Sequence, residues 1–277
     1  MKEAEQTGEI MISSTSNPQI KNLIQLQTKP KERQEQKAFV VEGIKMFEEA
    51  KAGGHLMKAY ISEKLYEEKI SLQPDYFIGT SYEIVTEQVM KAASDTLSPQ
   101  GILAIVRKQE YSIEELIRKD DINLVLLEDI RDPGNLGTII RTAEGAGVTG
   151  IILSQASVDL YNPKVIRSTM GAIYRMPIVY AEDFLETLRV IKAAGISVYA
   201  AHLQAALEYD GISYPAKTAI LIGNEARGLS EEAAGLSTSN IIIPMEGKVE
   251  SLNAGVAASI LMYEIYRQKR QERLKVD

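Results

Sequence analysis

Residues 123–154 read NLVLLEDIRDPGNLGTIIRTAEGAGVTGIILS, and the order of elements inside this stretch decides the fold. NLVLLE is an apolar run of strand length, as expected of a buried strand. A tight Asp132-Pro133-Gly134-Asn135 turn follows and a helix begins, with Leu136, Ile139, Ile140 and Ala143 at helical spacing. GIILS is a second short strand. Between helix and strand lies GAGVTG, residues 145–150, which fits the G-x-G-x-x-G spacing associated with dinucleotide binding. That mechanism needs a strand, then the glycines, then a helix whose N-terminus meets the pyrophosphate. Here the order is reversed. Gly145 and Gly147 close a helix and Gly150 opens a strand, so these glycines are punctuation and not a nicotinamide site.

Working outward, the same alternation recurs on both sides. Upstream, IKNLIQL reads as a helix, AFVVEG as a strand, and Ile44 to about Ala52 as a helix stopped by Gly53-Gly54. HLMKAYIS (strand), EKLYEEKI (helix), DYFIG (strand), YEIVTEQVMKAA (helix) and GILAIVRK (strand) complete that half. Downstream come a short helix near Pro163–Ser168, the strand RMPIVY, the helix DFLETLRVIKAAG, and the strands ISVYAAH, TAILIG and NIIIP. A long helix from about Ser251 to Gln271 ends the pattern, with Leu252, Val256, Ile260, Tyr263 and Tyr266 on one face. Strands alternating with helices imply an α/β fold with a largely parallel sheet, here in two domains. The expected boundaries are a flexible tail (1–16), a small domain (17–107), a charged linker (108–121) and a larger domain (122–277).

Composition narrows the chemistry. Apolar residues make up 45% of the 277 and charged residues 25%, which fits a globular protein with a sizeable core. Nothing resembles a membrane span or a signal peptide, so a cytoplasmic protein without membrane partners is expected. The absence of cysteine removes disulfides, thiolate catalysis and cysteine zinc sites, and no metal is expected. His55 and His202 stand alone and are read as surface or packing residues. A net charge of −7 argues against nonspecific coating of nucleic acid. Two local segments differ. Residues 17–45 carry Lys21, Lys29, Lys31, Arg33, Lys37 and Lys45 against Glu32, Glu35 and Glu42, and KVIRSTMGAIYR carries Lys164, Arg167 and Arg175 with no acid.

Ligands in α/β sheets bind beyond the C-terminal ends of the strands. Three such loops carry polar residues. The loop after NLVLLE leads into a helix bearing Asn135, Thr138 and Arg141 at intervals of three. LIGNEARGLS ends a strand in Gly223-Asn224-Glu225, and IIIPMEGKVESLNAG runs from a strand through Pro244 to Ser251-Leu252-Asn253. A helix N-terminus near the first loop favours anions such as phosphate.

Together these blocks resemble the SpoU (TrmH) branch of the SPOUT RNA methyltransferases, which move a methyl from S-adenosylmethionine to a ribose 2′-hydroxyl. The matches are Asn135-Leu136-Gly137 with Arg141, then Gly223-Asn224-Glu225 through Arg227-Gly228-Leu229, then Ile243-Pro244-Met245 with Ser251-Leu252-Asn253. Where many members read Ser-Leu-Asn-Val-Ser, this chain has Ser251-Leu252-Asn253-Ala254-Gly255. The N-terminal half is similar to the small substrate-binding domain many members carry, a ribosomal-protein-like RNA-binding fold.

The resemblance implies a trefoil-knotted α/β methyltransferase domain, S-adenosylmethionine held by Gly223, Ile243 and Leu252, and a homodimer with the last helix at its interface. It also implies Arg141 as the residue that activates the 2′-hydroxyl, with Asn135, Glu225, Ser251 and Asn253 around it. A guanidinium stays charged in proteins, so the expected role of Arg141 is to stabilise the developing alkoxide and anchor a phosphate. Ser251 and Asn253 are both suited to capping the last helix as well as to lining the substrate side. Lys21, Arg33, Lys37, Lys164, Arg167 and Arg175 are the candidates to meet RNA phosphates. Large-subunit ribosomal RNA is the first expectation for the substrate. The alternatives are tRNA, or a non-catalytic RNA-binding or ribosome-assembly factor on the same scaffold.

Overall fold

In the computed structural model, which describes residues 11–276, helices and strands alternate along most of the chain. The order opens α1 (Pro18–Thr28), α2 (Pro30–Glu35), β1 (Ala38–Glu42), α3 (Ile44–Ala52), β2 (Leu56–Ser62) and α4 (Glu63–Leu72). It continues β3 (Tyr82–Val85), α5 (Glu87–Ala93), β4 (Ile102–Arg107), α6 (Ile113–Ile117), β5 (Ile122–Leu127) and α7 (Pro133–Gly145). Next come β6 (Gly150–Leu153), α8 (Pro163–Thr169), β7 (Ile178–Tyr180), α9 (Phe184–Ala193) and β8 (Ser197–Ala201). The last elements are β9 (Leu207–Glu208), β10 (Lys217–Ile222), α10 (Glu231–Leu236), β11 (Ser239–Ile242) and α11 (Ala254–Val276). The chain forms two compact units, one from the residues up to Gln109 with Tyr161–Tyr174, the other from Glu110–Leu160 with Arg175 onward.

The first unit holds a four-stranded sheet in the order β1-β4-β2-β3. Here β2 and β3 pair in parallel, but β4 is antiparallel to both β1 and β2, so this sheet is mixed and departs from the parallel expectation. Ile20, Leu23 and Leu26 from α1 pack with Val40, Tyr60 and Leu103 from the sheet and Val89 and Met90 from α5. Of the expected tail, residues 1–10 lie outside the described residues. Ile12 is buried and exchanges backbone hydrogen bonds with Ile84 and Thr86, extending the sheet edge. DYFIG is not a strand. Pro74 and Gly79, the latter at φ +74, bracket a run of turns that buries Phe77 among the rings of Phe47, Tyr66 and Tyr82. The strand lies further on, at Tyr82–Val85, within the stretch expected as helix.

The second unit is a seven-stranded sheet, β7-β6-β5-β10-β8-β11-β9, parallel at every pairing. Its central strands are buried on both faces, which is why LVLL and AILI read as unbroken apolar runs. Late strands insert among early ones: β10 enters between β5 and β8, and β11 lies on the other side of β8. The stretch expected as a linker contains α6, started by a capping box of Ser112 and Glu115, and its Leu116 joins the core of this unit. Gly150 admits Leu116, because a Cβ there would stand 2.7 Å from the leucine Cδ2.

The apolar face assigned to the last helix is not its buried one. Ala258, Leu261, Met262 and Ile265 face the core, whereas Val256 and Tyr263 are 46% and 49% exposed and Ile260 and Tyr266 are half-buried. Both stripes are apolar, so periodicity alone could not choose between them.

Candidate active site

The strand order brings the ends of β5, β10 and β11 to one edge of the second unit, since Leu127 pairs with Ile222 across β5 and β10, and β8 joins β10 to β11. Asp132 caps α7 by accepting the Asn135 backbone N–H at 2.8 Å. Asn135, only 8% exposed, turns inward and makes two side-chain hydrogen bonds. Its Nδ2 donates to Glu225 Oε1 at 3.0 Å, and its Oδ1 accepts from Asn253 Nδ2 at 2.8 Å. One polar chain, Asn253–Asn135–Glu225, therefore ties the three loops together.

Glu225 grips the first loop. Its carboxylate accepts the backbone N–H of Arg131 at 3.2 Å and of Asp132 at 3.0 Å. Partial burial pushes the Glu225 carboxyl up, but these hydrogen bonds with that from Asn135 outweigh it and hold the group below its ordinary value. The loop itself is tightly folded. Asn224 and Gly228 exchange backbone hydrogen bonds, and the Asn224 side chain donates to the Asp129 carbonyl at 2.8 Å. A Cβ at Gly223 would collide with the backbone of Gly228 and Leu229, so only glycine permits this approach.

Beside the polar chain lies a cavity of about 240 Å³ lined by Gly223, Ile243, Met245 and Leu252, with Ala201 and His202 from the end of β8. The residues fit S-adenosylmethionine: strand-end backbone and aliphatic walls suit an adenine, and the cavity carries Gly223, Ile243 and Leu252 together. A more polar cavity of about 540 Å³ adjoins it, lined by Arg131, Asp132, Asn135, Glu225, Ser251 and Asn253. Ser251 and Leu252 line both.

Several residues behave otherwise than expected. Of the two residues suited to capping the last helix, Asn253 does so: its Oδ1 accepts the backbone N–H groups of Gly255 and Val256 at 2.9 and 3.2 Å. A Cβ at Gly255 would lie 3.2 Å from that same Oδ1. Thr138 and Arg141 are exposed while Asn135 is buried, so the three do not share one environment. Arg141 lines neither cavity, and Glu144, its nearest acid along the helix, is paired with Arg175 at 2.8 Å. Arg131, which no sequence pattern singles out, is the arginine lining the polar cavity, and its guanidinium has no partner among the described residues. His202, expected on the surface or in packing, lines the cavity that also carries Gly223, Ile243 and Leu252.

Among the expected RNA contacts, Arg33 needs correction. It is 4% exposed and donates to the carbonyls of Leu26 and Gln27 at 2.7 and 2.8 Å, closing the end of α1. Lys21, Lys37 and Lys164 are exposed, Arg167 is half-buried against Asp95, and Arg175 belongs to the second unit with its guanidinium on Glu144.

The second unit is thus an α/β fold with a ligand-lining cavity at the ends of its parallel strands, the class of architecture the comparisons make specific. The SpoU rRNA Methylase family model matches residues 123–263, and a model of an MRM3-like substrate binding domain matches residues 17–104. The 23S rRNA (guanosine(2553)-2′-O)-methyltransferase RlmP of Bacillus subtilis is 32% identical over 92% of this chain and 98% of its own. An AdoMet-bound rRNA methyltransferase from Sinorhizobium meliloti superposes with a TM-score of 0.80 at 31% identity, covering 93% of this chain and 97% of that one. AviRb of Streptomyces viridochromogenes, a SpoU methyltransferase solved with AdoMet, gives 0.80 at 25% identity over 92% of this chain and 100% of its own. The chain belongs to the SpoU family and is an S-adenosylmethionine-dependent RNA 2′-O-methyltransferase.

Proposed function

We propose that this enzyme methylates a ribose 2′-hydroxyl of large-subunit ribosomal RNA in the cytoplasm, and that it does so as a homodimer. The Asn253–Asn135–Glu225 chain beside the cavity of Gly223, Ile243 and Leu252 carries the reading. It is a fixed polar frame at the junction of a cofactor-sized slot and an open polar cavity. The ribosomal substrate is supported by the Bacillus subtilis relative, a 23S rRNA 2′-O-methyltransferase, and by the match of residues 17–104 to a substrate-binding domain.

S-adenosylmethionine, when bound, supplies a methyl group on a sulfonium; the remaining work is to aim a weak nucleophile and remove its proton. Glu225 and Asn135 hold the loop bearing Arg131, whose free guanidinium at the polar cavity anchors a substrate phosphate. Ser251 and Asn253 line the substrate side, Asn253 fixed by its helix-capping bonds. Arg141 stabilises the developing alkoxide, and the proton leaves through phosphate or water. Because Arg141 lines neither cavity of its own protomer, it serves the site of the partner. The exposed stripe of Val256, Ile260, Tyr263 and Tyr266 supports this arrangement, since Ser259 between them lies 3.3 Å from Thr142, the neighbour of Arg141. Mixing inactive Arg141→Ala and Asn135→Ala proteins tests it. Restored activity in the mixture is expected, and a mixture as inactive as its parts would contradict the shared site. Size separation of RNA labelled by the wild type then decides the substrate, with label expected in large-subunit rRNA and label in tRNA overturning that assignment.

A further inference from the structure

The first unit contains a cavity of about 550 Å³ that the reaction does not use. It lies among the end of α1, the end of α5 and the start of α8, a segment contributed from beyond β6 in the chain. Ile24, Ala92 and Pro163 give it apolar wall. Facing them are Asp95 and Arg167, paired at 2.5 Å through Asp95 Oδ2 and Arg167 Nη1, with exposed Lys164 at the edge. Asp95 Oδ1 and the other guanidinium N–H groups of Arg167 have no partner among the described residues.

We propose that this cavity binds an unpaired guanine of the substrate RNA, separate from the methylated nucleotide, with Lys164 on an adjacent phosphate. The inference rests on the reading that the substrate is RNA. Single-stranded RNA is read by splaying bases out and bonding their Watson–Crick and Hoogsteen edges, with arginine planes as stacking surfaces. Guanine offers N1–H and N2–H donors side by side, which a carboxylate accepts, and an O6 acceptor for a guanidinium or ammonium. Adenine places an acceptor at N1, which Asp95 repels. Arg167 also offsets the charge of Asp95, so the carboxylate does not exclude a polyanion. The cavity walls Ile24, Ala92 and Asp95 all fall within the matched substrate-binding domain.

The test is fluorescence anisotropy of the full chain with single-stranded, adenine-rich RNA oligonucleotides differing at one central base: guanine, inosine or adenine. Guanine is expected to bind at least about fivefold more tightly than adenine, with inosine, which lacks the N2 amino group, between them. Asp95→Ala removes the preference while leaving the adenine oligonucleotide within about twofold. Ala92→Phe fills the cavity, spares the Asp95–Arg167 pair and also removes it. Lys164→Gln weakens all three alike and lowers the salt slope by about one. Equal affinities in the wild type, no binding of any oligonucleotide, or a preference surviving both cavity variants would overturn the proposal. Methyl transfer to total RNA, run in parallel, separates the two claims. Label without base preference sinks the cavity alone; base preference without label sinks the enzymatic reading alone.

Discussion

Replacing Asn135 by Asp changes almost nothing in shape and reverses one interaction. The Asn135 amide donates to Glu225 Oε1 at 3.0 Å; the variant sets a second carboxylate oxygen there, while the bond from Asn253 is kept. Two unit charges at that separation repel by about 5.5 kcal/mol at an effective dielectric of about 20 and about 1.4 kcal/mol in bulk water. Glu225 is open to solvent, so the lower part of that range applies, about 2 kcal/mol. In the wild type the Glu225 carboxyl is held below its ordinary value, so its contribution to stability is present at neutral pH and lost as acid protonates it. The variant pair shares a proton instead. Its raised titration makes the contribution present in mild acid and lost as pH rises. Urea denaturation between about pH 3.5 and pH 8 should therefore show the stability gap to wild type widening by about 2 kcal/mol as pH increases, most of it below about pH 6. A gap that stays constant across that range would refute the placement of Asn135 against an ionised Glu225.

Gly223→Ala forces the β10 end away from Gly228 and Leu229, and isothermal titration should show S-adenosylmethionine affinity falling at least about tenfold. Wild-type affinity would mean the loop relaxes freely. Arg33→Gln should cost about 2 kcal/mol in urea denaturation, from two lost charged bonds to buried carbonyls, with the salt slope of RNA binding unchanged. A reduced salt slope would return Arg33 to the RNA surface. Arg141→Lys should lower turnover about a hundredfold with cofactor affinity intact, because the planar fork is lost. Near wild-type turnover would dismiss the fork.

The methyltransferase half was legible because its physics is local. Parallel strands covered on both faces are predominantly apolar, and the turn residues at Asn135, Gly223 and Asn253 stand out against those runs. What could not be read was partnership. Arg33 sits in a basic stretch, and only the return of α2 on α1 reveals that its charge closes a helix end. The two apolar stripes of α11 have the same period, and which one is buried depends on α7 and β10 packing against it. Phe77 reads as strand sequence, yet the rings of Phe47, Tyr66 and Tyr82 from three other elements claim it for a turn. Arg131 carries no pattern of its own; Glu225, far along the chain, brings its loop to the cavity.

The most direct measurement uses methyl-labelled S-adenosylmethionine, the purified protein and total RNA from source cells lacking the gene, followed by alkaline hydrolysis. A 2′-O-methyl group removes the nucleophile that alkali needs, so the account predicts label in alkali-resistant dinucleotides. Label released as mononucleotides would place the methyl on a base, and would contradict ribose 2′-O-methylation by the frame of Asn135, Glu225 and Asn253.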